Sequence, residues 1–347
     1  MYYVGMISEK LRFLRACRSQ PVDATPVWFM RQAGRYMAEY RELRKTHSIL
    51  ALAKTPELAC EVTLQPVRAL PIDAAILFAD ILLVLEPMGL KLRFAPGPTI
   101  SNPVRTEADI KRLKVKDAAA ELDCVFQAVK LIRRETEGKV GLIGFAGAPF
   151  TVASYMIEGG HSDHYKLTKA MMTDRPDLWD LLMRKVRVVT AEYLEAQVAA
   201  GAQAVQLFDS WIGVLSPDQY RRHVRPHSKW ILDRLEKSGV PVISFGTDTN
   251  GFLEDFASAG GSVIGVDWRI DMDVARRRIG KKAVQGNLDP ILLFSGKKAL
   301  KSAVKDIIDR NGGRKGHIFN LGHGILPTTP VDTVKMVADW VHEFSRT

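Results

Sequence analysis

Two arginines four residues apart, Arg31 and Arg35, enclose Gln32, Ala33 and Gly34. A guanidinium offers a planar fork of N–H donors that matches a carboxylate, so a pair at this spacing across a glycine can aim both forks at one anionic ligand. The alternative is a structural pair whose forks are spent on backbone carbonyls. Asp80 lies inside the apolar run Ile76-Leu77-Phe78-Ala79-Asp80-Ile81-Leu82-Leu83. A carboxylate in that setting is rarely left unpaired, so it either holds a nearby arginine or serves chemistry. His323 stands between Gly322 and Gly324, where an imidazole is exposed and backbone can approach a ligand; a histidine that only stabilises the turn fits the same pattern. Tyr155 and Ser210 gain weight by convergence with these, because buried hydroxyls usually just satisfy backbone groups. Forks for carboxylates, an isolated acid and an imidazole together describe acid/base chemistry on a small, multiply negative molecule.

Such groups must be brought together by elements far apart in the chain. Eight short apolar runs recur, each followed by an amphipathic segment: Pro26–Met30, Ala74–Phe78, Val140–Phe145, Ala204–Phe208, Val242–Phe245, Val263–Val266, Ala283–Gly286 and His317–Asn320. Continuous apolar strands alternating with helices describe a parallel sheet covered by helices on both faces. Eight units suggest closure into a single (β/α)8 TIM-type barrel over residues 1–347, with residues 1–20 preceding the first strand; an open doubly wound sheet is the alternative. The polar residues fall just after the strands, at the C-terminal mouth where such barrels place their sites. Thr55-Pro56, Ser216-Pro217 and Thr329-Pro330 each set a hydroxyl before a proline and predict capped helix starts, and long helices are expected over Arg175–Ala200 and Ser216–Lys237. Lys91–Pro103 and Gly159–Tyr165 read as excursions over the mouth.

Several function classes lose support. No Gly-Lys-Ser/Thr phosphate loop or G-x-G-x-x-G fingerprint is present, so nucleotide binding is not expected. Cys17, Cys60 and Cys124 are solitary, which points to reduced structural thiols. The pairs His161/His164 and His223/His227 have metal-compatible spacing, but no acid or cysteine completes either site, and surface histidines are expected. The apolar stretch Ala74–Leu90 is broken by Asp80 and Glu86, and the basic N-terminus lacks a secretion-signal core, so a cytoplasmic protein without a membrane segment is expected. The net charge is +10, and residues 1–50 supply half of it, nine Lys/Arg against four Asp/Glu. Those cations are interspersed with acids and aromatics, which suits discrete contacts with an acidic small molecule better than nucleic acid.

Two stretches then stand out: Pro26-Val27-Trp28-Phe29-Met30-Arg31-Gln32-Ala33-Gly34-Arg35-Tyr36 and Gly144-Phe145-Ala146-Gly147-Ala148-Pro149-Phe150-Thr151-Val152-Ala153-Ser154-Tyr155. With Phe78–Leu82, Gln206–Trp211 and Asn320–Gly324 following in order, the chain resembles the uroporphyrinogen decarboxylases over nearly its whole length. The resemblance implies a barrel, usually a homodimer, that converts the acetate arms of uroporphyrinogen to methyl groups in haem synthesis, giving coproporphyrinogen, without a cofactor or metal. It further implies substrate contacts from Arg31, Gln32, Ala33, Gly34, Arg35, Tyr155, Ser210 and His323, with Arg44 as a further contact and Asp80 beneath the pyrrole nitrogens. Asp80 would stabilise the pyrrole cation formed on ring protonation, and Arg31 would act as carboxylate clamp or acid; Tyr155, His323 or water are the other candidate proton donors. Leu85-Glu86-Pro87 departs from the family's usual loop, and the residues before Met6 look like an extension. The nearest rival, a corrinoid-dependent methyltransferase, would need a His-x-Cys zinc motif that none of the three cysteines provides.

Overall fold

Among the described residues there are nine strands: β1 Ala74–Ile76, β2 Leu92–Phe94, β3 Pro98–Ile100, β4 Gly141–Gly147, β5 Ala204–Asp209, β6 Val242–Gly246, β7 Val263–Gly265, β8 Ala283–Leu288 and β9 His317–Leu321; all but the partly exposed β2 and β3 are runs buried on both faces, whose backbone has only its neighbours to bond to. The computed structural model describes residues 12–94 and 97–346; the extension before Met6 lies outside them. β1, β4, β5, β6, β7, β8 and β9 pair in that order, all parallel, and every residue of β4, β6, β8 and β9 is buried.

The eighth member is the segment at Val27, which differs from the expected five-residue strand. It pairs with β9 through a single parallel bridge, Val27 to Phe319. Phe319 N–H donates to the Pro26 carbonyl (2.8 Å) and Trp28 N–H to the Phe319 carbonyl (3.3 Å), while on the other side Asp73 N–H donates to the Val27 carbonyl (2.8 Å). Proline has no N–H to extend the ladder, and the chain leaves the sheet at Arg31, whose φ is +61°. Those bonds join the last strand to the first, so the sheet closes as a (β/α)8 barrel.

The helical expectations hold in part. Pro176–Ala200 is one helix, but the expected Ser216–Lys237 helix breaks into Pro217–Gln219, a wide π-type turn at Tyr220–Val224 and Arg225–Glu236. Pro226 explains the break, since it removes an N–H and its ring crowds the preceding turn. Of the three hydroxyl-proline starts only Ser216 caps through its side chain, accepting from Gln219 N–H while Gln219 reaches back to Ser216 N–H. Thr55 makes no such bond, and Thr329 falls one residue before the cap. Lys91–Pro103 contains the β2–β3 hairpin, whose Thr99 bridges Gly160, so the two excursions are stitched together. His227 is buried rather than on the surface, 3.5 Å from Asp180. At the opposite end of the barrel Asp73 accepts from Arg12 (2.7 Å), Val27 N–H (2.7 Å) and His342 (2.8 Å), tying Arg12 and the helix Val331–Ser345 to the start of β1. Among the described residues no helix is long and apolar enough to cross a membrane.

Candidate functional site

Arg31 follows the closing bridge in a left-handed backbone conformation, which costs a non-glycine residue about 1–2 kcal/mol and persists only where its surroundings impose it. They do. Met30 N–H donates to Asn320 Oδ1 (3.0 Å), Ile325 N–H to the Met30 carbonyl (2.8 Å) and Phe29 N–H to Gln32 Oε1 (3.0 Å). Gln32 is fully buried and its amide donates on to the Ala74 carbonyl (3.0 Å), so this side chain braces the turn and is not offered to a ligand. Gly324 completes the seat: a Cβ there would fall 2.3 Å from Cδ of Arg31.

The Arg31 and Arg35 side chains make no hydrogen bond or ion pair among the described residues, so their forks are not spent on backbone carbonyls. Both are open to solvent, yet burial by surrounding protein, then Arg35, pull the Arg31 guanidinium below its usual range, with Tyr155 and Asp80 opposing. A group that solvent reaches and protein still surrounds sits in a concavity. Ala33 and Gly34 are half-buried beside it. Arg44 stands apart on the helix Ala38–Thr46, bonded to the His47 carbonyl and acting with Arg35 on the Tyr40 phenol.

Asp80 lies four residues beyond β1, half-buried, with Oδ1 accepting from Leu82 N–H (2.8 Å). It has no ion-pair partner among the described residues, so it does not hold a local arginine. Burial pushes its carboxyl up to about 6, against the Leu82 N–H and Arg31, which favour the anion. It remains largely ionised at neutral pH. Glu86, in the loop that departs from the family pattern, pairs with Lys54 at 2.5 Å, away from this carboxylate.

Tyr155 comes from the helix Pro149–Glu158 that follows β4. Its ring stacks on Trp211 at 3.9 Å between centroids, and burial, then Asp80, push its phenol up to about 12. Tyr165 and His161 meet the same indole edge-on at 5.0 and 5.7 Å, which places the Gly159–Tyr165 excursion beside the mouth. Ser210 follows β5, half-buried, its carbonyl accepting from Thr247 (2.6 Å). Between them lies Asp209, which the sequence places with Ser210 after the fourth apolar run without giving it a role. Its buried carboxylate accepts from Thr151 Oγ1 (2.7 Å) and Thr151 N–H (3.2 Å), and Trp211 N–H donates to Thr151 Oγ1 (3.3 Å). Thr151 is the third residue of the Tyr155 helix, so Asp209 caps that helix from another strand and ties Tyr155 to Ser210 and Trp211.

His323 sits on the turn after β9. Burial, then Arg31, press its imidazole down to about 4, Asp267 opposes and Arg269 adds to the lowering, so the ring is neutral at neutral pH. Its glycine neighbours mark what flanks it. Gly324 lies against Arg31, and a Cβ on Gly322 would fall 2.6 Å from the Trp268 backbone nitrogen. Arg269 and Asp267 thus also belong to the mouth, and neither stood out in the sequence, because an Asp-Trp-Arg triplet carries no pattern of its own. Among the described residues no group of three or more His, Cys, Asp or Glu could hold a metal ion. A surface cavity of about 380 Å³ lined by Arg105, Ile157, Leu167 and Leu178 lies on outer helices and holds none of these residues.

Comparison with known proteins fits this geometry. The sequence model of the family described as uroporphyrinogen decarboxylase (URO-D) matches residues 8–344. The chain is 60% identical over 338 residues to a uroporphyrinogen decarboxylase of Sorangium cellulosum, covering 96% of this chain and 97% of that one. It is 54% identical over 336 residues to that of Carboxydothermus hydrogenoformans, covering 96% of each. Among solved structures it is similar to a methyltransferase from Methanosarcina mazei, with a TM-score of 0.82 at 22% identity over 97% of this chain and 99% of that one. A B12-independent methionine synthase from Shewanella aligns less closely, with a TM-score of 0.56 at 13% identity over 87% of this chain and 88% of that one. At such identities the last two show a common fold.

Proposed function

The chain belongs to the uroporphyrinogen decarboxylase family, and from that premise we propose how its mouth carries out the reaction. The enzyme decarboxylates the acetate side chains of uroporphyrinogen to methyl groups, giving coproporphyrinogen and carbon dioxide in porphyrin biosynthesis. Each event needs an electron sink. A proton added to the ring carbon next to the one that bears the acetate arm makes the pyrrole a cation whose charge is shared by the arm-bearing carbon. The bond between methylene and carboxylate then breaks, and its electron pair neutralises the ring. A proton is taken up at the methylene as the ring carbon releases its own, so each carbon dioxide consumes one proton net.

One observation carries the assignment of roles: Asp80 is a recessed carboxylate bonded to one backbone N–H and to no cation among the described residues. In this reading its free oxygen accepts from the pyrrole N–H groups and faces the developing cation. A preorganised charge of this kind is commonly the largest catalytic contribution. Arg31 and Arg35 receive carboxylate arms through forks that no group among the described residues occupies, with Ala33 and Gly34 contributing backbone, and Tyr155 and Ser210 donate hydroxyl hydrogen bonds. His323, uncharged at neutral pH, serves as a hydrogen-bonding partner and holds no acidic proton to give. The mechanism calls on no cofactor or metal. Ile291 and Phe294, 60% and 46% exposed after β8, give an apolar surface in support of a homodimer, which light scattering would test, and the site of action is the cytoplasm. Anaerobic incubation with uroporphyrinogen and a count of product carboxyl groups tests the whole reading: one carboxyl lost per acetate arm is expected, and an unchanged count refutes it.

A further inference from the structure

Arg269 reaches the mouth from the flank of the Gly322–Gly324 turn opposite Arg31. Its guanidinium lies over the Trp268 ring, 4.4 Å from the centroid, and its Nη1 donates to Asp267 Oδ2. Asp267 is buried, 2% exposed, and is fixed in turn by the backbone N–H of Asp248 (2.7 Å) and of Arg269 itself (3.1 Å). The guanidinium is therefore held by stacking on one face and by a carboxylate at one nitrogen, while its side chain stays 43% exposed. A guanidinium carries five N–H donors, and this arrangement commits few of them. The nearest other charge, Asp248 at 4.0 Å, is 56% exposed and screened by solvent. A pre-oriented fork loses little freedom when it binds, which is what a carboxylate contact at a mouth requires.

We propose that Arg269 is a carboxylate-binding residue of the mouth, receiving one arm of the substrate beside His323 while Arg31 and Arg35 receive another. This rests on the reading of the substrate as uroporphyrinogen, whose ring carries carboxylates around its whole edge, so that forks on both flanks of the His323 turn can engage it at once. Arg31 and Arg269 both disfavour a charged His323, with Asp267 opposing, so both guanidinium charges reach the ring beside which the arm would lie.

The test is Arg269→Gln, whose amide can still donate to Asp267 and so protect the fold. Steady-state kinetics on uroporphyrinogen should show KM raised about tenfold or more, as for loss of a charge-assisted contact, with kcat within about threefold. Arg269→Lys, which keeps the charge and loses the fork, should fall between. An unchanged KM in folded Arg269→Gln, or a loss confined to kcat, overturns the proposal. Should Arg269→Gln unfold, the Lys variant decides alone: a KM equal to the unsubstituted enzyme's overturns it and a raised KM supports it. Unsubstituted protein that releases no carbon dioxide from uroporphyrinogen overturns the parent reading instead.

Discussion

Replacing Asp80 with Asn keeps nearly the same volume and an oxygen for the Leu82 N–H, and removes the anion. In the proposed mechanism the pyrrole N–H groups then lose an acceptor and the ring cation loses its counter-charge. Losses of this kind commonly reach 10²-fold or more, which corresponds to about 2.7 kcal/mol of transition-state stabilisation. The effect on folding should run the other way. Burial lifts the Asp80 carboxyl from 3.8 to about 6, so at neutral pH its ionisation costs the folded state up to about 3 kcal/mol relative to the unfolded chain. Between about pH 4 and pH 6 the unfolded chain releases this proton first, so the wild-type protein loses stability as pH rises, and Asp80→Asn should lack that slope. Turnover should behave in parallel: wild-type activity falls below about pH 6 as the carboxylate takes up a proton, and the Asn variant is uniformly slow with that acid limb gone. Turnover across pH 5 to 8 and thermal unfolding of both proteins check this. Near-normal turnover, an unaltered acid limb, or inactivity explained by unfolding would each refute the charge role.

Four further outcomes follow. Arg31→Ala and Arg35→Ala should each raise KM by about tenfold or more with little change in melting temperature, because neither guanidinium has a hydrogen-bond or ion-pair partner among the described residues; Gly324→Ala should mimic Arg31→Ala, since its Cβ would displace that side chain, and normal substrate binding in it would contradict the seat described. Asp73→Ala should cost about 1–3 kcal/mol in denaturant unfolding, because it leaves Val27 N–H and His342 without their acceptor and Arg12 with Asp23 as its remaining carboxylate partner. Exhaustive chelation should leave decarboxylation intact, and activity that vanished and returned with zinc would overturn the metal-free mechanism.

Asp209 and Gln32 show how bracing and ligand contact divide the same loops. Gln32 sits between two arginines whose forks are free, yet its amide is consumed by Phe29 and Ala74. Asp209 precedes Ser210 and spends its carboxylate on Thr151. In each case the buried polar residue fixes the backbone beside a candidate site residue.

The alternation of apolar runs with helices determined the barrel, because strands buried on both faces must be continuously apolar and parallel strands must be joined by crossovers; the order of polar residues after those runs likewise placed Arg31, Asp80, Tyr155, Ser210 and His323 near one end. Tertiary structure decided the rest. Pro26 and the left-handed turn at Arg31 shortened the first strand to a single bridge, and Pro226 broke a helix whose periodicity read as continuous. Whether Asp80 holds an arginine could not be read along the chain, since ion pairing is set by separation in space, and the fold gives it no ion-pair partner among the described residues. Arg269 and Asp267 carried no pattern at all. Their place beside His323 arises only because Gly322 lets β9 pack against Trp268, a contact between residues more than fifty positions apart that no local signal records.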